Sequence, residues 1–133
     1  MISQGTRTTN LSMTQGRRYT LERFQVLNDF VDHGLADLSR SEIGVYLILW
    51  RDTKPTGLAR TSRTELARRG GMTERQASRA LGALARRGAV HVIRKAVGRR
   101  AALYSLYPPD LLARMNPRLK SWLDGGAPAI DDE

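Results

Sequence analysis

Three segments of the sequence begin with the same helix-start pattern, in which a serine or threonine is followed three residues later by glutamate or glutamine. In such a capping box the hydroxyl accepts a hydrogen bond from the backbone N–H three residues on, and the longer side chain accepts one in return. Each pattern precedes an apolar segment of helical period, so we expect three helices to start at these points. The pairs are Ser39–Glu42, Ser62–Glu65 and Thr73–Gln76.

The second and third of these helices are separated by a pair of glycines. The second is short, over residues 63–69, and Gly70 and Gly71 form a tight turn before the apolar Met72. The third covers residues 74–87, and a helical period places four apolar side chains on one of its faces. They are Ala77, Ala80, Leu81 and Leu84. A short helix, a glycine-containing turn and a longer helix predict a helix-turn-helix.

The pattern changes from helix to strand after Gly88. Residues 90–93 and 103–107 are rich in β-branched and aromatic side chains, which is typical of strands. The connection between them, residues 94–100, holds four basic residues and Gly98 for the turn. The fold class expected is therefore mainly α with a small β-hairpin, and the hairpin has a basic tip.

Helices with apolar faces are also expected before and after the helix-turn-helix and hairpin in the sequence. Helix 20–33 carries Leu21, Phe24, Leu27 or Asn28, and Val31 on one stripe, with Phe30 beside it, and ends at Gly34. The helix after Ser39 is expected to bury Ile43, Tyr46, Leu47 and Trp50. After Pro108 and Pro109, a short helix with Leu111, Leu112 and Met115 precedes a second one that starts at Asn116 and carries Leu119, Trp122 and Leu123.

These elements divide the chain into four parts. Residues 1–17 are polar, lack periodicity and are expected to form a flexible tail. Residues 18–107 form the domain with its additional N-terminal helix, residues 108–125 form a C-terminal helical extension, and residues 126–133 are an acidic tail.

The positive charge of the chain is concentrated in one third of its length. The whole chain has a net charge of +9, yet residues 58–104 alone contain twelve basic and only two acidic residues, and the rest is close to neutral. A basic segment inside a folded domain is the electrostatic signature of a polyanionic partner such as nucleic acid.

Several other classes of protein do not fit the composition. There is no cysteine, and no stretch is long and apolar enough to cross a membrane or to act as a signal peptide, so a cytoplasmic protein without membrane partners is expected. We find no phosphate-binding loop, no metal-ligand spacing and no catalytic set around the two histidines. The sequence therefore predicts no enzyme, no catalytic or metal-binding residues and no cofactor.

Residues 38–106 resemble the winged helix-turn-helix domains of bacterial and phage regulators and of plasmid and phage replication proteins. The resemblance is carried by LSRSE at 38–42, SRTELA at 62–67, MTERQASRALGALARRGAV at 72–90 and RAALYSL at 100–106. It implies a winged helix-turn-helix with extra N- and C-terminal helices. It also implies that the third helix enters the major groove and that the hairpin, called the wing, follows the DNA backbone.

Residue chemistry and the resemblance together define the expected DNA-binding residues. Arg75 and Arg79 are four residues apart and share a helical face, from which an arginine can engage both acceptors of guanine. Gln76 can pair with adenine, although its capping role competes for the same side chain. Hydroxyls and N–H groups at helix starts bind phosphates. The complete set is Ser62, Arg63, Thr73, Arg75, Gln76, Ser78, Arg79, Lys95, Arg99 and Arg100.

The function expected is sequence-specific binding of double-stranded DNA, as a transcriptional regulator that reads the major groove with helix 74–87 and the backbone with wing 94–100. A role as an origin-binding or accessory protein of plasmid or phage replication fits the resemblance equally well. A winged helix that binds other proteins is the third alternative, but it would not need such a basic helix and wing.

The apolar helices outside residues 38–106 lead to two further alternatives. They can join two copies into a homodimer through helices 20–33 and 110–124, which would place two DNA-reading helices about one DNA turn apart. A monomer can instead use part of the same surface to cover its own core.

Overall fold

The computed structural model describes residues 11–119 of the 133-residue chain. This part of the chain is mainly helical with a small antiparallel sheet, in agreement with the fold class expected. Its elements are α1 (Leu11–His33), α2 (Arg40–Asp52), β1 (Ala59–Arg60), α3 (Arg63–Gly70), α4 (Glu74–Arg86), β2 (His91–Arg94), β3 (Leu103–Ser105) and α5 (Pro109–Met115). Single 3-10 turns, Leu35–Asp37 and Pro117–Leu119, follow α1 and α5. None of the helices in this range combines the length and apolarity needed to cross a bilayer.

Helix α1 is longer than the sequence pattern predicted. It begins at Leu11 rather than Thr20, so residues 11–17 are helical although they were expected in the tail. The rest of the expected tail, residues 1–10, lies outside the described part. Extending an existing helix adds one hydrogen bond for each residue that becomes ordered, so it does not require an apolar stripe. The polar composition of this stretch therefore did not indicate where the helix begins.

Helix α1 is attached to α2 through two aromatic side chains. The indole N–H of Trp50 donates to the carbonyl of Arg23 at 2.8 Å, and the Arg23 guanidinium donates back to the Trp50 carbonyl at 2.9 Å. The same guanidinium lies 3.7 Å from the centre of the Trp50 ring, a cation–π contact. One turn away, the rings of Phe30 and Tyr46 stack with their centres 3.5 Å apart, and the Tyr46 hydroxyl donates to the carbonyl of Val26 at 3.3 Å.

These contacts determine which side of α1 faces the protein. Phe30 is buried at 7% exposure, whereas most of the stripe recognised in the sequence faces outward. Its Leu27 packs against the main core, and Phe24 meets the ring of Trp50 edge-on with the ring centres 5.5 Å apart. The stripe's side chains Leu21, Phe24 and Val31 are 66%, 49% and 48% exposed.

Helix α2 starts where its capping box predicts and buries Tyr46 as expected, but the rest of its buried face differs from the prediction. The Ser39 hydroxyl accepts from the backbone N–H of Glu42 at 3.2 Å, and the Glu42 carboxylate accepts from the N–H of Ser39 at 3.0 Å. The expectation that Leu47 is buried was wrong, since it is 45% exposed, and Val45 and Leu49 are fully buried instead. The reason is that α2 packs against α3 and α4 as well as against α1, so its buried face is wider than one stripe.

The sheet has three antiparallel strands in the order β1–β3–β2. The hairpin of β2 and β3 was expected from the sequence. In the structure Val92 lies opposite Tyr104, and the pairing is irregular between Val92 and Arg94. Strand β1 was not expected, because two residues are too short to show an alternating pattern. Its pairing of Ala59 with Tyr104 and of Arg60 with Leu103 makes β3 the central strand.

Apolar clusters cover both sides of the central strand. Tyr104 and Leu106 join the main core, which α1, α2, α3 and α4 also line. Leu103 and Tyr107 belong to a second cluster, which includes Leu112 of α5 and Leu119. Residues 108–119 of the C-terminal extension therefore pack on the protein's own sheet. Leu112 and Leu119 are two of the side chains expected at a homodimer interface through helix 110–124. Both are fully buried in this cluster, so they are not exposed to a partner. Trp122 and Leu123 lie outside the described residues.

Candidate nucleic-acid interface

Helices α3 and α4 are joined by a turn that depends on its glycines. Gly71 has a φ of +66°, a left-handed conformation that side chains other than hydrogen rarely allow. A β-carbon on the preceding Gly70 would lie 2.6 Å from the terminal methyl of Met72, which itself packs against the main core. The expected tight turn with an apolar residue before the next cap is therefore present, and it holds α4 close to α3.

The two faces of α4 differ as its sequence predicted. Ala77, Ala80, Leu81 and Leu84 are buried in the main core. On the other side Arg75, Gln76 and Arg79 are exposed, and Ser78 is half-buried beside them. Small alanines on the inner face let α4 approach α2 closely, while the cationic side chains keep access to solvent.

The start of α4 is held by a complete capping box. The Thr73 hydroxyl accepts from the backbone N–H of Gln76 at 3.0 Å, and the Gln76 side-chain oxygen accepts from the N–H of Thr73 at 2.9 Å. The capping box therefore does occupy the Gln76 side chain, as expected. The amide oxygen still has a second lone pair, and the amide NH₂ group still has two N–H donors. The Thr73 hydroxyl likewise keeps its own O–H for an outside acceptor. Both residues can therefore cap the helix and still face a ligand.

The capping box expected at α3 is only half formed. The Ser62 hydroxyl accepts from the N–H of Glu65 at 3.1 Å. The Glu65 carboxylate, however, accepts from the Arg68 guanidinium at 2.7 and 3.3 Å instead of turning back to Ser62. These hydrogen bonds lower the pKa of the Glu65 carboxyl below its ordinary value. A charged donor one turn along the same helix competes better for a carboxylate than a backbone N–H does.

Side chains of α3 bridge directly to α4. The Arg63 guanidinium donates to the Ser78 hydroxyl at 3.0 Å, and the Thr64 hydroxyl donates to the Glu74 carboxylate at 3.0 Å. Two residues expected to contact DNA from different helices are therefore in contact with each other. The charge of Arg63 also reaches the sheet, where it partly offsets the rise that burial causes in the pKa of the Tyr104 hydroxyl.

An acidic residue at the end of α2 anchors α3, and sequence reasoning missed it. The Asp52 carboxylate accepts from the Arg69 guanidinium at 2.7 and 3.0 Å and from the Thr61 hydroxyl at 2.6 Å. The hydrogen bonds from Arg69 are the main reason why the pKa of the Asp52 carboxyl lies below its ordinary value. No sequence pattern relates positions 17 residues apart on different helices, so the pairing could not be anticipated.

The basic hairpin tip is built around Gly98. Val97 and Arg100 exchange backbone hydrogen bonds at 3.1 and 2.9 Å, and Gly98 has a φ of +57°. The Arg94 guanidinium donates to the carbonyl of Ala101 at 2.8 Å and so spans the base of the hairpin. The remaining three basic side chains of the tip are exposed. They are Lys95, Arg99 and Arg100.

The sheet connects the hairpin to the start of α3. Leu103 lies at the end of β3 next to the hairpin tip, and it pairs with Arg94 on one side and with Arg60 on the other. Arg60 is exposed and stands two residues before Ser62, the N-cap of α3. The end of the hairpin next to its basic tip and the start of α3 are therefore at the same end of the sheet. Arg60 was counted in the basic segment but not among the expected site residues, because β1 was not recognised.

A separate groove of about 520 Å³ lies between α1 and the sheet. Its walls include Val26, Phe30, Leu106 and Leu111, and burial lowers the pKa of the His91 imidazole on its lining. None of the expected DNA-binding residues lines it. In the described range, no group of three or more acidic or histidine side chains is arranged to hold a metal ion.

Comparison with known proteins adds no family to this description. The chain matches no protein-family model, and no curated protein is significantly similar to it in sequence. Its function is therefore inferred from its residues and their geometry.

Proposed function

We propose that this protein is a cytoplasmic, sequence-specific binder of double-stranded DNA with a winged helix-turn-helix domain, and that it acts as a transcriptional regulator. The observation that carries the proposal is the contact of Arg63 on α3 with Ser78 on α4. This hydrogen bond brings together two side chains that were expected to bind DNA, beside the outward-facing Arg75 and Arg79 of α4. No catalytic step and no cofactor is part of the proposal.

The order of the elements supports the winged-helix assignment. The short α3, the glycine turn and α4 are followed by the antiparallel hairpin of β2 and β3, whose tip is basic. In this assignment α4 is the recognition helix and residues 94–100 form the wing.

Direct reading of bases is assigned to the exposed face of α4. A major groove about 12 Å wide admits one α-helix, and the guanidinium of an arginine can donate to both the O6 and N7 atoms of guanine. Arg75 and Arg79 are exposed one turn apart, so they can reach neighbouring base pairs or one base and one phosphate. Gln76 keeps the donor and acceptor that pairing with adenine requires.

Contacts to the DNA backbone are assigned to the helix starts and the wing. The hydroxyls of Ser62 and Thr73 stand at helix N-termini, where backbone N–H groups and the helix dipole favour a phosphate. Arg63, Lys95, Arg99 and Arg100 supply positive charge without base specificity. Arg60 is added to this group because the sheet places it beside the base of the wing.

Selection of bound fragments from random and genomic duplex DNA tests the proposal. We expect one enriched motif and weaker binding to single-stranded DNA and to RNA. Genomic sites upstream of genes would support regulation, whereas a cluster at an origin would favour the replication alternative. Equal affinity for all three nucleic acids, with no enriched motif, would reject sequence-specific recognition.

We also propose that the protein binds its site as a homodimer. Two copies related by a two-fold axis would present two α4 helices to a palindrome, and binding of two half-sites raises affinity beyond that of one short helix. Since Leu112 and Leu119 are buried, α1 rather than α5 provides the outer apolar surface for this association.

A further inference from the structure

The groove between α1 and the sheet combines an apolar lining with a polar wall. Its volume of about 520 Å³ lies within the range of cavities that hold small organic ligands. The apolar lining comes from α1, α2 and the end of the sheet, and its most buried side chains are Phe30, Tyr46 and Leu106. An apolar group that leaves water for contact with these side chains is stabilised by the hydrophobic effect.

Helix α1 supplies the polar wall from a single face. The residues of α1 that line the groove recur at helical spacing over three turns, about 16 Å of the helix. They are Glu22, Gln25, Val26, Asp29, Phe30 and His33. The two acidic residues of this face are seven positions apart and so stand about 10 Å from each other along the helix axis.

Neither of these carboxylates is neutralised by a cation among residues 20–119. Glu22 is half-buried and forms no ion pair or side-chain hydrogen bond with that part of the chain. Asp29 accepts a hydrogen bond from the amide of Gln25 at 3.0 Å, which leaves its charge in place. Burial, then the neighbouring Tyr107 and then the charge of Asp29 raise the pKa of the Tyr46 hydroxyl above its ordinary value. The charge of Asp29 therefore acts on the lining of the groove.

The positive groups of the lining do not balance the two carboxylates. The Arg87 guanidinium donates to the carbonyl of Asp37 at 3.2 Å. Burial lowers the pKa of the His91 imidazole and so favours its neutral form. With His33 and His91 counted as neutral, two carboxylates face one guanidinium, and the groove is negative in a chain whose net charge is +9.

We propose that this groove binds a small amphipathic organic cation, with its apolar body against Phe30, Tyr46 and Leu106 and its ammonium group at the wall that carries Glu22 and Asp29. The proposal does not depend on DNA binding, since no expected DNA-binding residue lines the groove. A neutral ligand of the same shape would gain the apolar contacts alone. An anionic one would be repelled by the two carboxylates.

Three probes that share one apolar body test this chemistry. They are phenylbutylamine, phenylbutanol and phenylbutyrate, which carry an ammonium, a hydroxyl and a carboxylate group. Each is titrated into the isotope-labelled full chain at neutral pH and low salt, and the shifts of backbone amide signals in NMR spectra give its Kd. We expect the amine to bind roughly five- to tenfold tighter than the alcohol, because each partly exposed carboxylate adds a modest attraction. Equal binding of amine and alcohol, or tighter binding of phenylbutyrate, would overturn the proposal.

A pair of charge-removing variants tests the assigned wall. Glu22→Gln/Asp29→Asn should raise the Kd of the amine to that of the alcohol and leave the Kd of the alcohol unchanged. The matched control Asp32→Asn/Asp110→Asn removes the same charge at exposed positions outside the groove lining, and it should keep the preference for the amine. A preference that survives Glu22→Gln/Asp29→Asn, or that the control loses equally, would contradict the assignment.

The same spectra locate the bound probe. Residues 87–91 join α4 to β2, and four of them line the groove, so their amide signals should shift when the amine binds. The signals of residues 94–100 should stay in place, because the hairpin tip does not line the groove. Shifts at the hairpin tip with none at residues 87–91 would place the probe elsewhere and overturn the proposal.

Discussion

The carboxylate of Asp52 and the guanidinium of Arg69 form a two-point ion pair, with hydrogen bonds of 2.7 and 3.0 Å between the end of α2 and the last turn of α3. A third hydrogen bond, from Thr61, ties the segment after β1 to the same carboxylate. Asp52 thus connects α2, β1 and α3. Because α3 in turn contacts α4 through Arg63, the pair helps to set the position of the proposed recognition helix.

Replacement of Asp52 by Asn should lower the stability of the protein. The variant keeps the size of the side chain but loses the charge that the partly buried Arg69 pairs with. We expect a loss of about 1–3 kcal/mol in the free energy of unfolding, measured by urea denaturation. The matched control is Asp110→Asn, whose exposed ion pair with Arg114 spans 4.0 Å and should contribute less than about 0.5 kcal/mol. Equal losses in the two variants would mean that the Asp52 pair has no special role.

The same pair should make stability depend on acid pH. Because folding lowers the pKa of the Asp52 carboxyl, the stabilisation is fully present above the unfolded-state pKa, about 3.9, and is lost as pH falls through the lower folded-state pKa. We expect the stability difference between wild type and Asp52→Asn to be constant above about pH 5 and to shrink below pH ~4. Denaturant unfolding of both proteins across this range measures it, and a difference independent of pH would contradict the assignment.

Binding to DNA should weaken steeply with salt. If Arg63, Arg99, Arg100 and their neighbours meet about six phosphates per protomer, the slope of log K against log[salt] should be near −5, since each contact releases roughly 0.9 counterion. Fluorescence anisotropy with a labelled duplex measures this slope. A slope close to zero would reject nucleic-acid binding altogether.

Arginines of α4 and of the wing should differ in their effect on specificity. Arg79→Ala should cost roughly 1–3 kcal/mol on the selected site and relax specificity at one base position. The double variant Arg99→Ala/Arg100→Ala should instead weaken binding to selected and random duplexes alike. As a control, Arg68→Ala removes a cation that already pairs with Glu65 and should change neither affinity much. An unchanged ratio of specific to random binding in Arg79→Ala would contradict the role given to α4.

Local features were the ones that could be predicted from the sequence. The caps at Ser39 and Thr73 formed as expected because all their atoms lie within one helical turn. The cap at Ser62 formed only in part, since Arg68 offered Glu65 a stronger partner within the same helix. Strand β1 escaped prediction because two residues have no detectable period, and Arg60 was missed with it.

By itself the sequence determined where α2, α3 and α4 begin, which face of α4 is buried, and where the positive charge lies. These properties depend on residues that are neighbours in the chain. The tertiary structure alone decided that Phe30 rather than Phe24 faces the core, that Arg69 pairs with Asp52, and that Leu112 and Leu119 cover the protein's own sheet. Each of these outcomes depends on a contact between residues far apart in the chain, where several partners of similar chemistry compete and only the packed arrangement selects one.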